Sequence, residues 1–198
     1  MGVGATNVPA RLAASIGLLG SVAPQFKSAV DVPHGGVLLA LPALLGMGLL
    51  DNIDEHLKMP QGYYGLDSIL LLLAFMARAR IQSIESLRHS PPGEWGNLLG
   101  LDRSPEVRTL REKVAILSGK GEAEAWSASL CKGWMADQHE FTGTLYIDGH
   151  TRVYHGSQTK LPRHYVARQK LCLRASIYLV LSAYMIFIRI RVSCEFNT

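Results

Sequence analysis

From Thr142 onward the spacing of apolar residues changes. Upstream they recur at three- and four-residue steps; downstream, Thr144-Leu145-Tyr146-Ile147 and Thr151-Arg152-Val153-Tyr154 are β-rich tetrads. Three- and four-residue steps trace one face of a helix, and β-rich runs bounded by turn signals read as strands. A chain whose helical stripes all precede its strands reads as α+β, or as two domains. At 198 residues there is room for one domain or two small ones.

The helical part is well punctuated. Residues 35–50 are an apolar segment with helical spacing, closed by the polar stretch 51–58 and the turn signal Met59-Pro60-Gln61-Gly62. Leu66, Ile69, Leu70, Leu73 and Met76 then predict a helix over residues 66–80, with Arg78 and Arg80 at its negative end. A short helix over 83–89 stops at Ser90-Pro91-Pro92-Gly93, and another over 94–99 ends at Gly100. Ser104 can cap the next helix, with Pro105 in its first position and Glu106 at its positive end. Val107, Leu110, Val114 and Leu117 form its apolar stripe, leaving Arg108, Arg111 and Lys113 on the other faces. Short helix, turn and capped basic helix is the outline of a helix-turn-helix; an ordinary αα-hairpin, the commoner object, has the same outline. Trp126, Leu130 and Trp134 at four-residue steps mark one more amphipathic helix.

Apolar residues make up 48% of the chain, which excludes a wholly disordered one. Three cysteines, at 131, 172 and 194, form no CxxC pair, so a disulfide scaffold and a cysteine zinc ribbon are disfavoured and a reducing, cytoplasmic setting is expected. No basic cluster precedes an apolar core at the N-terminus, which argues against a secretory signal. Apolar runs at 35–50, 66–77 and 175–188 fall short of the roughly 20 residues of a spanning helix, so buried core helices are expected in their place. Charge is unevenly distributed. Residues 1–148 hold 12 Lys/Arg against 15 Asp/Glu, whereas residues 149–198 hold 8 against the single acid Glu195. Such asymmetry points to a polyanionic partner for the basic part.

Asp148 follows the apolar run Leu145-Tyr146-Ile147, with Gly149 and His150 between the two tetrads. Asp-Gly here is a strong hairpin signal, and a solvated turn aspartate is the plainer reading; a metal ligand held on a rigid strand is the other. His150, His155 and His164 lie near it, without HExxH spacing. Ser118-Gly119-Lys120-Gly121 lacks the upstream glycine of a P-loop, so nucleotide binding is not supported, and no small-molecule substrate is expected. Residues 160–174 carry Lys160, Arg163, Arg168, Lys170 and Arg174, interleaved with His164 and Tyr165 and with no acid. A solvated basic face would have this composition, and so would a track for a phosphate backbone.

Residues 145–174, LYIDGHTRVYHGSQTKLPRHYVARQKLCLR, resemble the start of the catalytic core of DDE-type insertion-sequence transposases. The shared pattern is a strand ending in Asp-Gly-His, a second strand with Arg-Val-Tyr, then a basic Leu-Pro-Arg/His-Tyr-Val stretch. Upstream, LPALLGMGLL (41–50) and residues 62–114, from GYYGLDSILLLL to RTLREKV, are similar to the N-terminal region of such proteins. The likeness covers roughly residues 35–174. It implies an RNase H-like core in which three carboxylates hold two divalent ions, Mg²⁺ by family habit, about 4 Å apart for attack on phosphate. Asp148 matches the first of these, as catalytic residue and metal ligand. After about Ala175 the sequence departs from the family and supplies only Glu195 as a further acid.

The expected organisation is therefore an N-terminal extension (1–34), a helical, helix-turn-helix-like region (35–139), the first strands of an RNase H-like core (140–175) and a divergent apolar tail (176–198). The expected function is that of a truncated transposase, inactive alone, whose partners are DNA and full-length copies. Expected DNA contacts are Arg103, Arg108, Arg111, Arg152, Lys160, Arg163, Arg168, Lys170 and Arg174. Two alternatives are a residual DNA-binding module of a mobile element and a small protein anchored in a membrane by residues 175–188.

Overall fold

The computed structural model describes residues 5–119, 122–137, 146–156, 159–183 and 186–192. The fold class is α+β, and the chain divides into two compact units, Met1–Leu130 and Cys131–Thr198.

The first unit is helical. Its helices are α1 (Val8–Ser15), α2 (Leu41–Gly46), α3 (Ile53–His56), α4 (Leu66–Arg78), α5 (Pro92–Leu99) and α6 (Val107–Gly119), with 3₁₀ turns at Gly35–Ala40 and Ile84–His89. A seventh helix, α7 (Glu122–Asp137), begins in this unit and continues into the next. The expected stripe of α4 lies inside, with Ile69, Leu70 and Met76 buried and Leu73 packed at the core's edge. Leu72 and Phe75 are fully buried as well, so α4 is enclosed over more than one face. Trp95, Leu98 and Leu99 of α5 and Leu110 of α6 close on the same core, and Val107, Val114 and Leu117 line its margin. A smaller cluster joins Ile53, Leu57, Leu66 and Leu70.

Helix α5 stops where the sequence places the stop. Gly100 is left-handed (φ +67°), its N–H donates to Asn97 O and the Leu101 N–H reaches back to Gly96 O, satisfying carbonyls that the helix end would orphan. Helix α6 starts later than expected, at Val107. Ser104 does not cap it: its N–H donates to Pro92 O and its carbonyl accepts from the Tyr64 hydroxyl, so its backbone is tied into the core. The connection between α5 and α6, residues 100–106, is thus longer than the three- to four-residue turn of a helix-turn-helix.

Among its described residues the second unit holds four strands, all antiparallel: β1 (Tyr146–Val153), β2 (Arg163–Val166), β3 (Leu171–Ala183) and β4 (Ile186–Val192). Strand β3 is central. Residues 171–174 pair with β2, 175–182 with β1 and 177–183 with β4. Two expectations are corrected here. Asp148-Gly149-His150 is not a turn: β1 runs straight through it, because β3 offers eight consecutive residues to pair with. The hairpin instead joins β2 to β3 through residues 167–170, with Lys170 left-handed (φ +53°). The third apolar run is strand rather than helix, continuing β3 from Leu171 to Ala183 and resuming in β4. Strands β3 and β4 together carry four Ile and two Val, β-branched residues that suit a pleated surface better than a helix. Thr144 and Leu145 lie outside the described residues. Among the described residues no helix is long and apolar enough to cross a membrane.

Candidate nucleic-acid interface

The basic residues fall into two sets with opposite electrostatic surroundings. The first set lies beside α6. Arg103 Nη2 is 3.2 Å from Glu106, Arg108 Nε is 3.0 Å from Glu112, and Arg111 pairs with Glu85, which also takes Arg88 at 3.1 Å. The hydrogen bond from Arg111 holds the exposed Glu85 carboxyl below its usual range. Each arginine expected to meet DNA from this helix already faces a glutamate.

The α5–α6 connection is held by a polar knot that the sequence reading did not find. Asp102, with its side chain 5% exposed, accepts six hydrogen bonds. Arg11 of α1 grips it in bidentate fashion, Nη2 to Oδ1 at 2.6 Å and Nε to Oδ2 at 3.1 Å. The Tyr63 hydroxyl donates to Oδ1 at 2.7 Å, the Thr6 and Asn7 backbone N–H groups to Oδ2, and its neighbour Arg103 N–H to Oδ1. Arg11 also stands 3.9 Å over the Tyr63 ring, a cation–π contact. Burial would raise the Asp102 carboxyl, but the Arg11, Tyr63 and Asn7 hydrogen bonds outweigh it and hold it well below the carboxylate range. Burial, then the bond to Asp102, pushes the Tyr63 hydroxyl up to about 12. A fully satisfied, charge-assisted network of this kind fixes backbone position.

The second set lies on the sheet, and strand register brings it together. Residues directly opposite one another share a face, as do residues two apart on one strand. Arg163 is opposite Arg174, and Arg152 is opposite Ser176, two residues on from Arg174. The three arginines therefore occupy one face. Tyr165, two residues from Arg163, is on it too, opposite Cys172. Arg152, Arg163, Tyr165, Cys172 and Arg174 are all exposed, whereas Val153, His164, Val166 and Leu173 of the other face are half-buried and Ala175 is fully buried. None of these three arginines has an acidic partner among the described residues. Lys160, before β2, and Arg168 and Lys170, in the β2–β3 turn, are exposed beside them. Tyr154 continues from β1: its N–H donates to Arg174 O, and its hydroxyl accepts from the Thr159 N–H at 3.2 Å.

Asp148 sits within β1. Its row across the sheet is completed by Val180 of β3 and Arg189 of β4. The register thus places an aliphatic residue and a cationic one in its row. Among the described residues no group of three or more His, Cys, Asp or Glu is arranged to hold a metal.

Fold and site together define an α+β protein with a helical unit and an antiparallel sheet, one face of which carries Arg152, Arg163 and Arg174. The sequence family described as Transposase protein matches over residues 2–187, and the chain belongs to that family. Its function is accordingly related to transposition, with DNA as a partner; membership also suggests a divalent metal in general. No curated protein and no solved structure matches the chain.

Proposed function

We propose that this chain serves transposition by holding DNA on the face formed by Arg152, Arg163 and Arg174, and that it does not itself cut or join strands. The observation that carries this reading is the contrast between the two basic sets. Exposed ion pairs are worth about 0–1 kcal/mol, so Arg103, Arg108 and Arg111 could exchange glutamate for phosphate, but each exchange strands a carboxylate beside the polyanion. Among the described residues the sheet arginines have no carboxylate paired with them, and Asp148, the acid on their face, lies four residues along β1 from Arg152. Lys160, Arg168 and Lys170 extend the same field and steer the backbone towards it.

On this reading Asp148 keeps the position of the first acid of a DDE-type, RNase H-like core, as the resemblance of residues 145–174 implies. The other ligands of a Mg²⁺ pair would have to come from elsewhere, and full-length copies of the transposase are the partners that could provide the chemistry.

Two measurements test the proposal. Binding of a labelled duplex at about 50 mM salt should weaken when Arg152, Arg163 and Arg174 are changed together to Gln, and stay near the parent value for the Arg103, Arg108 and Arg111 triple variant. The reverse order would overturn it. Supercoiled plasmid incubated with the chain and Mg²⁺ or Mn²⁺ should remain intact; nicking that disappears in Asp148→Ala would overturn the non-catalytic part.

A further inference from the structure

We infer that the basic sheet face takes single-stranded DNA, with the ring of Tyr165 as the platform for a base. This deepens the proposed function and rests on it.

Three observations lead there. Tyr165 is 64% exposed although it sits within a strand rather than at a loop tip. Its cross-strand partner is the small side chain of Cys172, so the neighbouring position on this face is not filled by a bulky group. Arg163 and Arg174, two residues away on either strand, face each other directly, and like charges directly opposite are destabilising in a sheet. A register that keeps two cations in one row beside an exposed ring is one that an anionic ligand relieves.

A duplex does not use such a ring. Its bases are stacked on each other and its outer surface offers phosphates alone, which the arginines could take without help. A single strand offers phosphates together with free base faces, and these stack on aromatic side chains and guanidinium planes. A strand backbone following the arginine row would bring a base over Tyr165, while Arg152 on the next row holds a further phosphate. Because every base has a π face, the preference is for strandedness rather than for sequence.

The test compares a labelled oligothymidine with a duplex of equal length on the whole chain. Tyr165→Ala should weaken single-strand binding by about 5- to 150-fold, the range of one lost stacking contact, and leave duplex binding within about twofold. Tyr165→Phe should keep the single-strand affinity, since the ring and not the hydroxyl is used. As a second readout, an oligothymidine bearing a disulfide-activated thiol tether should trap Cys172, and Cys172→Ser should abolish the adduct. Equal losses on both DNAs, or single-strand binding unmoved by Tyr165→Ala, would overturn the inference and leave the proposed function standing. Absence of binding to either DNA would instead overturn the reading beneath it.

Discussion

Arg11 and Asp102, ninety-one residues apart in the chain, meet through two hydrogen bonds of 2.6 and 3.1 Å and lock α1 onto the connection between α5 and α6. The carboxylate is nearly enclosed while the guanidinium keeps a quarter of its exposure. Losing the carboxylate strands Tyr63 and two backbone N–H groups of the α1 lead-in as well as Arg11.

Asp102→Ala should therefore lower the stability of the helical unit by about 3 kcal/mol, the scale of a broken charge-assisted buried pair. Arg11→Ala should cost less, because Tyr63 and the backbone donors still serve the carboxylate. The double variant should cost less than the sum of the two. Urea unfolding followed by tryptophan fluorescence measures all three, and strict additivity would contradict a shared network.

The same knot sets the pH limits. Asp102 has a folded-state pKa below its unfolded value of about 3.9, so its contribution is complete above that pH and is lost as pH falls towards the folded value. Tyr63 is the opposite case: raised from about 10 to about 12, it contributes fully below pH 10 and loses that contribution between the two values. Stability measured against pH should show an acid limb that flattens in Asp102→Asn and an alkaline limb that flattens in Tyr63→Phe. Limbs unchanged in these variants would show that other groups set them.

Backbone packing around α5 gives a third prediction. A Cβ on Gly96 would lie 2.5 Å from the Cα of Arg103, a backbone atom that cannot swing aside, so Gly96→Ala should cost about 2 kcal/mol or more through overpacking. Arg80, by contrast, ends α4 in a left-handed conformation (φ +58°) that glycine adopts freely, and Arg80→Gly should stabilise by about 1 kcal/mol. Thermal melts of both variants check the opposite signs.

Much of the helical unit is legible in its sequence because burial imposes a period. Leu66, Ile69, Leu70 and Met76 announce α4, and Gly100 announces the end of α5. The Asp102 knot leaves no such trace, since its partners at positions 6, 7, 11 and 63 have no fixed spacing from it. Asp148-Gly149-His150 misleads because turn chemistry and strand pairing compete locally, and a distant strand decides between them. The basic composition of residues 160–174 is plain, but that Arg152 joins Arg163 and Arg174 on one face is a fact of register that only pairing with β3 determines.

The central claim, that DNA lies on the sheet face and not along α6, is tested most directly by the salt dependence of duplex binding. Each phosphate contact contributes a slope near −0.9 in log K against log salt concentration. The account predicts that changing Arg152, Arg163 and Arg174 to Gln reduces the steepness by about 2.7, while changing Arg103, Arg108 and Arg111 leaves it unaltered. A slope that falls with the α6 arginines and persists without the sheet arginines would contradict it.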